Sequence, residues 1–185
     1  MAEAPEWTEE LVAQYHEIQG FLVLRNLPTT TGEGGGRSQA DLVAFRPSKG
    51  RFKVFDIEVG TYYESTETTV NWIVDKFSSA RRDLVTRAVK GLTGLKDSES
   101  IDYEPLFVDA SWPTDRALKA KKALLAKRGI LMRTLEDVIR DIPPQIRAWQ
   151  AAAVTKKGTR PAIPRSYRSL KIVEACHWTW VVEES

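Results

Sequence analysis

Two short runs decide how this chain folds: Ala40-Asp41-Leu42-Val43-Ala44-Phe45 and Phe52-Lys53-Val54-Phe55-Asp56-Ile57-Glu58-Val59, joined by Arg46-Pro47-Ser48-Lys49-Gly50-Arg51. Both runs are rich in aromatic and aliphatic residues, and the residues between them include the Pro, Ser and Gly that break regular structure. Two antiparallel strands with a hairpin-type connection over 46–51 are predicted. Alternate residues of a strand share a face. Phe55, Ile57 and Val59 then form an apolar side suited to a core, while Asp56 and Glu58 point the other way with Val54. Pairing about the centre of the hairpin sets Asp41 opposite Asp56, so that Asp41, Asp56 and Glu58 gather in one place. Such carboxylates repel one another unless a cation or protons neutralise them. Mg2+ or Mn2+, bound by one or two carboxylates and by phosphate oxygens of a substrate, answers that need, and is the chemistry of phosphodiester cleavage. The plainer alternative is that these acids end a strand or pair with Lys49, Arg51 or Lys53.

Outward from the hairpin, Thr8 is placed to cap a helix to about Gln19, with Leu11, Tyr15 and Ile18 on one face and Gly20 as the stop. Phe21–Arg25 is a short strand, closed by Pro28 and the glycine-rich loop Gly32–Gly36. Thr68–Lys90 is expected as one long helix whose apolar stripe is Val70, Ile73, Val74, Phe77, Ala80, Leu84 and Ala88. Leu106–Ala110 is a strand, Pro113-Thr114-Asp115 opens a basic helix, and Ile130–Met132 is a brief strand. Thr134 caps a helix that Pro143-Pro144 should stop or bend. Helix, three strands, helix, strand, helix, strand, helix is the order of an α/β domain with a mixed sheet covered by helices. Residues 1–150 are expected to form the domain, and residues 151–185 a linker and a helical extension packing on it.

Composition narrows the function classes. Apolar residues at 42% and charged residues at 28% are globular values, and no apolar run nears the length that crosses a bilayer. A single cysteine, Cys176, fits a reducing compartment, and with His16 and His177 it leaves too few soft ligands for structural zinc. Together with an N-terminal stretch lacking leader features, this makes a cytoplasmic location the expectation. Charge is unevenly spread: residues 1–66 are mainly acidic, whereas 115–133 set Asp115 against Arg116, Lys119, Lys121, Lys122, Lys127, Arg128 and Arg133. An acidic site beside basic elements suits a nucleic acid as partner. Arg37, Arg116, Lys119 and Lys122 are the expected backbone contacts, and the Trp-rich end could serve a dimer contact.

From Thr8 to Gly60 the sequence resembles the core of the PD-(D/E)xK nuclease superfamily, which includes type II restriction enzymes and archaeal Holliday-junction resolvases. That pattern has an acid on the first helix, a Gly-aromatic pair opening the first strand, an Asp on the second strand and acid-x-Lys on the third. The chain offers Glu10, then Gly20-Phe21, Asp41 and Asp56-Ile57-Glu58. The resemblance covers residues 8–110 and implies a restriction-endonuclease-like αβββαβ core and a Mg2+- or Mn2+-dependent nuclease whose site residues are Asp41, Asp56, Glu58 and Glu10. Where the superfamily has lysine this chain has Glu58. Alternatively, Glu58 is the first acid and Gly60 replaces the lysine. Some relatives carry that lysine on the following helix, where Lys76 lies. Two further functions compete: a relative that binds nucleic acid without cutting it, and a protein-interaction domain using the Trp-rich end.

Overall fold

The hairpin between the two central strands closes on the pair Ser48↔Arg51, and its two turn residues, Lys49 and Gly50, take φ of 49° and 78°. Two successive positive φ angles make the tight turn whose twist matches that of the strands, and glycine adopts the second at no steric penalty. In the computed structural model, which describes residues 2–3, 6–28, 39–95, 100–111, 114–152, 162–163 and 166–174, these strands are β3 (Gln39–Ser48) and β4 (Arg51–Thr61). Their register runs from Ser48↔Arg51 to Leu42↔Ile57. Asp56 therefore lies across from Val43, and the expected pairing of Asp41 with Asp56 does not occur. The turn is centred one residue later than expected, which shifts every partner by two and leaves each side chain on its expected face.

The chain is α/β, a mixed sheet flanked by helices. β2 (Leu22–Pro28) pairs antiparallel with β3, while β5 (Ile101–Asp109) and β6 (Leu131–Thr134) continue the sheet parallel to β4 in the order β2-β3-β4-β5-β6. A two-residue strand, β1 (Ala2–Glu3), adds to the end of β4 at Gly60 and Thr61. One face is covered by α1 (Glu6–Ile18), by α5 (Leu135–Ala152) and by residues 162–163 and 166–173. There Leu11, Val12, Ile142, Ile146, Ile163 and Leu170 pack on Leu42, Ala44, Ile57, Val59, Leu106 and Val108. The other face carries α2 (Thr66–Lys76), α3 (Ser79–Thr93) and α4 (Asp115–Ala126) over Phe45, Val54 and Phe107. No helix among the described residues is long and apolar enough to cross a membrane.

The expected long helix over 68–90 is two helices. Phe77 closes α2 with its N–H on the Val74 carbonyl, and Ser78 starts α3 by accepting the Arg81 N–H on its hydroxyl, 3.3 Å. The break re-phases the buried stripe: Arg81, Val85 and Val89 face the sheet, where an unbroken helix would have turned Ala80, Leu84 and Ala88 inward. Pro143 and Pro144 do not end α5, which runs through them to Ala152. Their missing N–H groups cost about 3 kcal/mol in an isolated helix. Burial of Val138, Ile142, Pro143 and Ile146 against the sheet offsets that penalty. The glycine-rich loop, Arg37 and the Cys176–Trp180 segment lie outside the described residues.

His16 is a core residue of α1, 4% exposed, with its ring edge-on to Tyr15 and Phe21 and no hydrogen-bond partner for Nδ1 among the described residues. Burial, then the charges of Arg133 and Arg46, lowers it from its ordinary 6.5 to about 3. An unfolded histidine takes up a proton below 6.5 that the folded one refuses. Its contribution to stability is therefore whole above that pH and is lost as pH falls toward 3. Between pH 7 and pH 5 this removes about 2 kcal/mol. His16→Phe should flatten the acid limb of a urea-unfolding stability curve by about that much, and identical acid limbs for the two proteins would refute it.

Candidate active site

β3 and β4 stop pairing after Leu42↔Ile57, and β1 takes the edge of β4 from Gly60 onward. Asp41 stands at the fork. Its Oδ2 accepts the Val59 N–H at 2.8 Å, so the carboxylate replaces the backbone carbonyl the ladder has lost. Among the described residues no lysine or arginine pairs with it. Burial first, then the negative charge of Glu58, raises Asp41 from 3.8 to about 7; Glu9 adds to the rise, while the Val59 hydrogen bond and Lys76 oppose it.

Glu58, 3% exposed, holds a cation on each oxygen: Lys76 Nζ at 2.6 Å from Oε1 and an Arg81 terminal nitrogen at 2.8 Å from Oε2. Asp56 is fully buried. Arg81 Nε reaches both its oxygens at 3.1 and 3.0 Å, a second Arg81 nitrogen reaches Oδ1 at 2.7 Å, and the Tyr103 hydroxyl donates to Oδ2 at 2.7 Å. Burial alone would lower Arg81, but the hydrogen bonds and charge of Asp56, reinforced by Glu58, drive it up and keep it charged. Tyr103 is raised by burial and by the charge of Asp56, and stays a neutral donor. The capped start of α3 is what delivers Arg81 to this position.

The expected trio of carboxylates thus divides. Asp41 and Glu58 face each other's charge at the fork, while Asp56 is consumed by Arg81 and Tyr103. Among the described residues no three His, Cys, Asp or Glu side chains stand together. Glu10 is not brought to the site: it accepts from Gln14 and from Arg25 Nε, the latter at 3.2 Å. Glu9, the neighbouring residue on the same helix, is the α1 acid whose charge Asp41 feels. Lys76 reaches Glu58 from α2.

Gly60 sits two residues beyond Glu58 on the same face, with the ring of Tyr62 filling the space a side chain would need. A Cβ on Gly60 would lie 2.9 Å from Tyr62 Cε2. Burial, then the charges of Glu58 and Asp41, pushes the Tyr62 phenol up to about 12. Two residues pair beneath α4 in a way that the sequence pattern does not announce, Asp109 and Lys121. Asp109, fully buried at the end of β5, accepts from Lys121 at 3.0 Å and from the Ser111 N–H at 2.9 Å. Lys121 stands among basic neighbours in the sequence, and its i+4 partner Leu125, also buried, is the signal that sets it apart. Of the expected backbone contacts, Arg116 and Lys119 are exposed on α4, whereas Lys122 is half-buried and paired with Asp137 at 3.1 Å. A shallow depression lined by Arg133, Asp137, Arg140 and Asp141 balances its charges internally, with Arg133 3.6 Å from Asp141.

The sequence matches no family model and no curated protein.

A folded Asp41 keeps its proton to about pH 7, whereas an unfolded one releases it near 3.8. Its stabilising contribution is therefore complete below about pH 4 and lost as pH rises through 7. Asparagine mimics the protonated acid and can still accept the Val59 N–H. In divalent-free buffer Asp41→Asn should melt at least about 4 °C above wild type at pH 8 and level with it at pH 4. Equal melting temperatures at pH 8 would mean that Asp41 carries no unrelieved charge.

Proposed function

We propose that the chain is a metal-dependent nuclease that hydrolyses phosphodiester bonds in DNA, with Asp41 and Glu58 as the metal-holding carboxylates and Lys76 as the accompanying ammonium. The observation that carries this is the meeting of Asp41 and Glu58 where β3 and β4 part, with Lys76 on Glu58. Asp41, Asp56 and Glu58 share two cations, Lys76 and Arg81, and the negative charge left over rests on Asp41. Its raised proton affinity is what a carboxylate shows when a cation is wanting. Mg2+ or Mn2+ held there would neutralise charge on a phosphate and make a water acidic enough to attack it.

The remaining roles follow from the chain's own groups. Asp41 must shed its proton to act as a ligand, so cleavage should rise with pH through about 7. Arg81 holds Glu58 by one oxygen and leaves the other to Lys76, fixing the carboxylate's direction. Lys76, 29% exposed on its side chain, is the cation that an incoming phosphate would meet. Its arrival from α2 and the filled space at Gly60 favour Glu58 as the first acid of the motif over the acid-x-acid reading. The order of α1, three antiparallel strands, two helices and a parallel strand supports the restriction-endonuclease-like reading, although that core carries one helix where α2 and α3 stand. A cytoplasmic location remains part of this proposal.

A second reading, binding without cleavage, draws on the two cations already on Glu58. Incubating supercoiled plasmid with the protein and Mg2+ or Mn2+ separates the two. Wild type should nick or linearise the plasmid, and Asp41→Asn and Glu58→Gln should each lower the rate by roughly 100-fold or more. Glu58→Lys should be inert, because it adds a third cation beside Lys76 and Arg81. Gly60→Lys should not restore activity to any of these variants, because Tyr62 occupies the space. A wild type inert with both metals on the plasmid and on a single-stranded oligonucleotide leaves the binding reading.

Both readings require contact with phosphates. The slope of log affinity for duplex DNA against log salt should fall by about 2 in an Arg116→Ala, Lys119→Ala double variant. Lys121 is unsuited to this test, being buried on Asp109. An unchanged slope would make the exposed face of α4 a merely solvated one.

A further inference from the structure

Trp72 precedes Lys76 by one turn of α2, and side chains four apart share a flank of a helix. On this flank Lys76 reaches Glu58, so Trp72 lies one turn from the candidate site. Its ring is 39% exposed. From behind it leans on Tyr62, 6.1 Å between centroids and tilted by 47°. Tyr62 leans in turn on Phe107 at 5.6 Å and covers Gly60. Trp72 is thus braced by Tyr62 and partly open to solvent. Tyr63, 79% exposed, follows directly in the chain. α4, with exposed Arg116 and Lys119, packs against α2. A partly exposed indole, a cation one turn away and further cations on the adjoining helix are the parts of a single-strand binding track.

We propose that Trp72, backed by Tyr62, stacks against an unpaired base of a single-stranded stretch of DNA whose backbone runs over α2 and α4 to the Asp41–Glu58 fork. The choice of DNA rests on the function proposed above. The requirement for an unpaired base does not: bases within a duplex have both faces covered by neighbours, and a ring fixed on a helix can reach only one that has left the stack. The substrate class is then a single strand, a flap or a frayed end, in preference to continuous duplex.

The test is fluorescence anisotropy with a labelled 20-nucleotide single strand and the matching duplex, in EDTA so that nothing is cut. Wild type should bind the single strand more tightly. Trp72→Ala should weaken single-strand binding roughly tenfold and leave duplex binding unchanged. Trp72→Phe, which keeps a flat ring and guards against a folding defect, should retain most of the affinity. Equal losses on both DNAs, or no loss on the single strand, overturns the inference. Cleavage of the same single strand and duplex, with Mg2+ or Mn2+ in place of EDTA, reports separately. Single-strand affinity that depends on Trp72 in a protein inert with Mg2+ and Mn2+ supports the stacking and removes the nuclease. Cleavage without a Trp72-dependent strand preference does the reverse.

Discussion

Arg81 lies 2% exposed between Asp56 and Glu58, donating three hydrogen bonds to the first and one to the second. Two carboxylates two residues apart on a sheet face that α3 covers would be untenable uncompensated, since desolvation and mutual repulsion both oppose their charge. A planar guanidinium meets both at once, with a geometry that lysine lacks. Removing either partner of such a buried pair costs about 3–5 kcal/mol, much of it from the charge left behind. The chain path over this face is arranged around that contact. α2 has to end at Phe77, Ser78 has to start a new helix, and α3 has to turn its Arg81, Val85, Val89 stripe toward the sheet. Glu58, pinned by one oxygen, then presents the other to Lys76 and its charge to Asp41.

The fork between β3 and β4 is the second constraint, and it works in the opposite sense. An antiparallel ladder that continued past Leu42↔Ile57 would have satisfied Val59 with a backbone carbonyl and left Asp41 as one more strand residue. The two strands separate, β1 closes the edge beyond, and an aspartate oxygen fills the gap. The hydrogen bond lowers the proton affinity of Asp41, but burial and Glu58 raise it by more. The structure therefore keeps a carboxylate that is positioned but short of positive charge. A group used only as a strand-end acceptor would do as well as asparagine. A charge held in that condition is useful where a cation is to be bound, which is why the proposed chemistry is centred on Asp41 and Glu58 and not on the better-buried Asp56.

The period-two pattern of Val54 to Val59 was enough to place Asp56 and Glu58 on the face away from the main apolar core, because alternation depends on the strand alone. The partners of those acids were not legible. Whether Asp41 meets Asp56 or Glu58 depends on one residue in the position of a turn, and Lys49-Gly50 declares itself only once Lys49 is seen to adopt a positive φ. Arg81 was invisible for a different reason. Ala80, Leu84 and Ala88 continue the apolar period of α2 across Phe77–Ser78, so the pattern favours one long helix. Packing chose the phase that buries Val85 and Val89, and it could do so only because Asp56 and Glu58 neutralise the arginine that comes with them. Glu10 against Glu9 turns on a rotation of 100° about α1, and the proximity of Glu10 to Arg25 on β2 is a tertiary fact with no local signature.

The two layers of helices are held to the sheet by different means. α1 and α5 rest on a largely apolar interface of aliphatic and aromatic side chains. α3 and α4 each add a buried ion pair near the C-terminal half of a parallel strand, Arg81 to Asp56 and Glu58 on β4, Lys121 to Asp109 on β5. Apolar residues of the same volume would often be as stabilising there, so stability alone does not account for these pairs. What ion pairs add is directionality: Arg81 fits one rotation of α3 and Lys121 one rotation of α4, whereas an aliphatic stripe tolerates sliding. α2, with Lys76 and Trp72 on one flank, packs against α4 and runs into α3 at Phe77–Ser78, so its position relative to Glu58 is tied to both fixed helices. A site that must present an ammonium, a carboxylate pair and an aromatic plane in one arrangement gains more from that fixed geometry than from additional apolar contact.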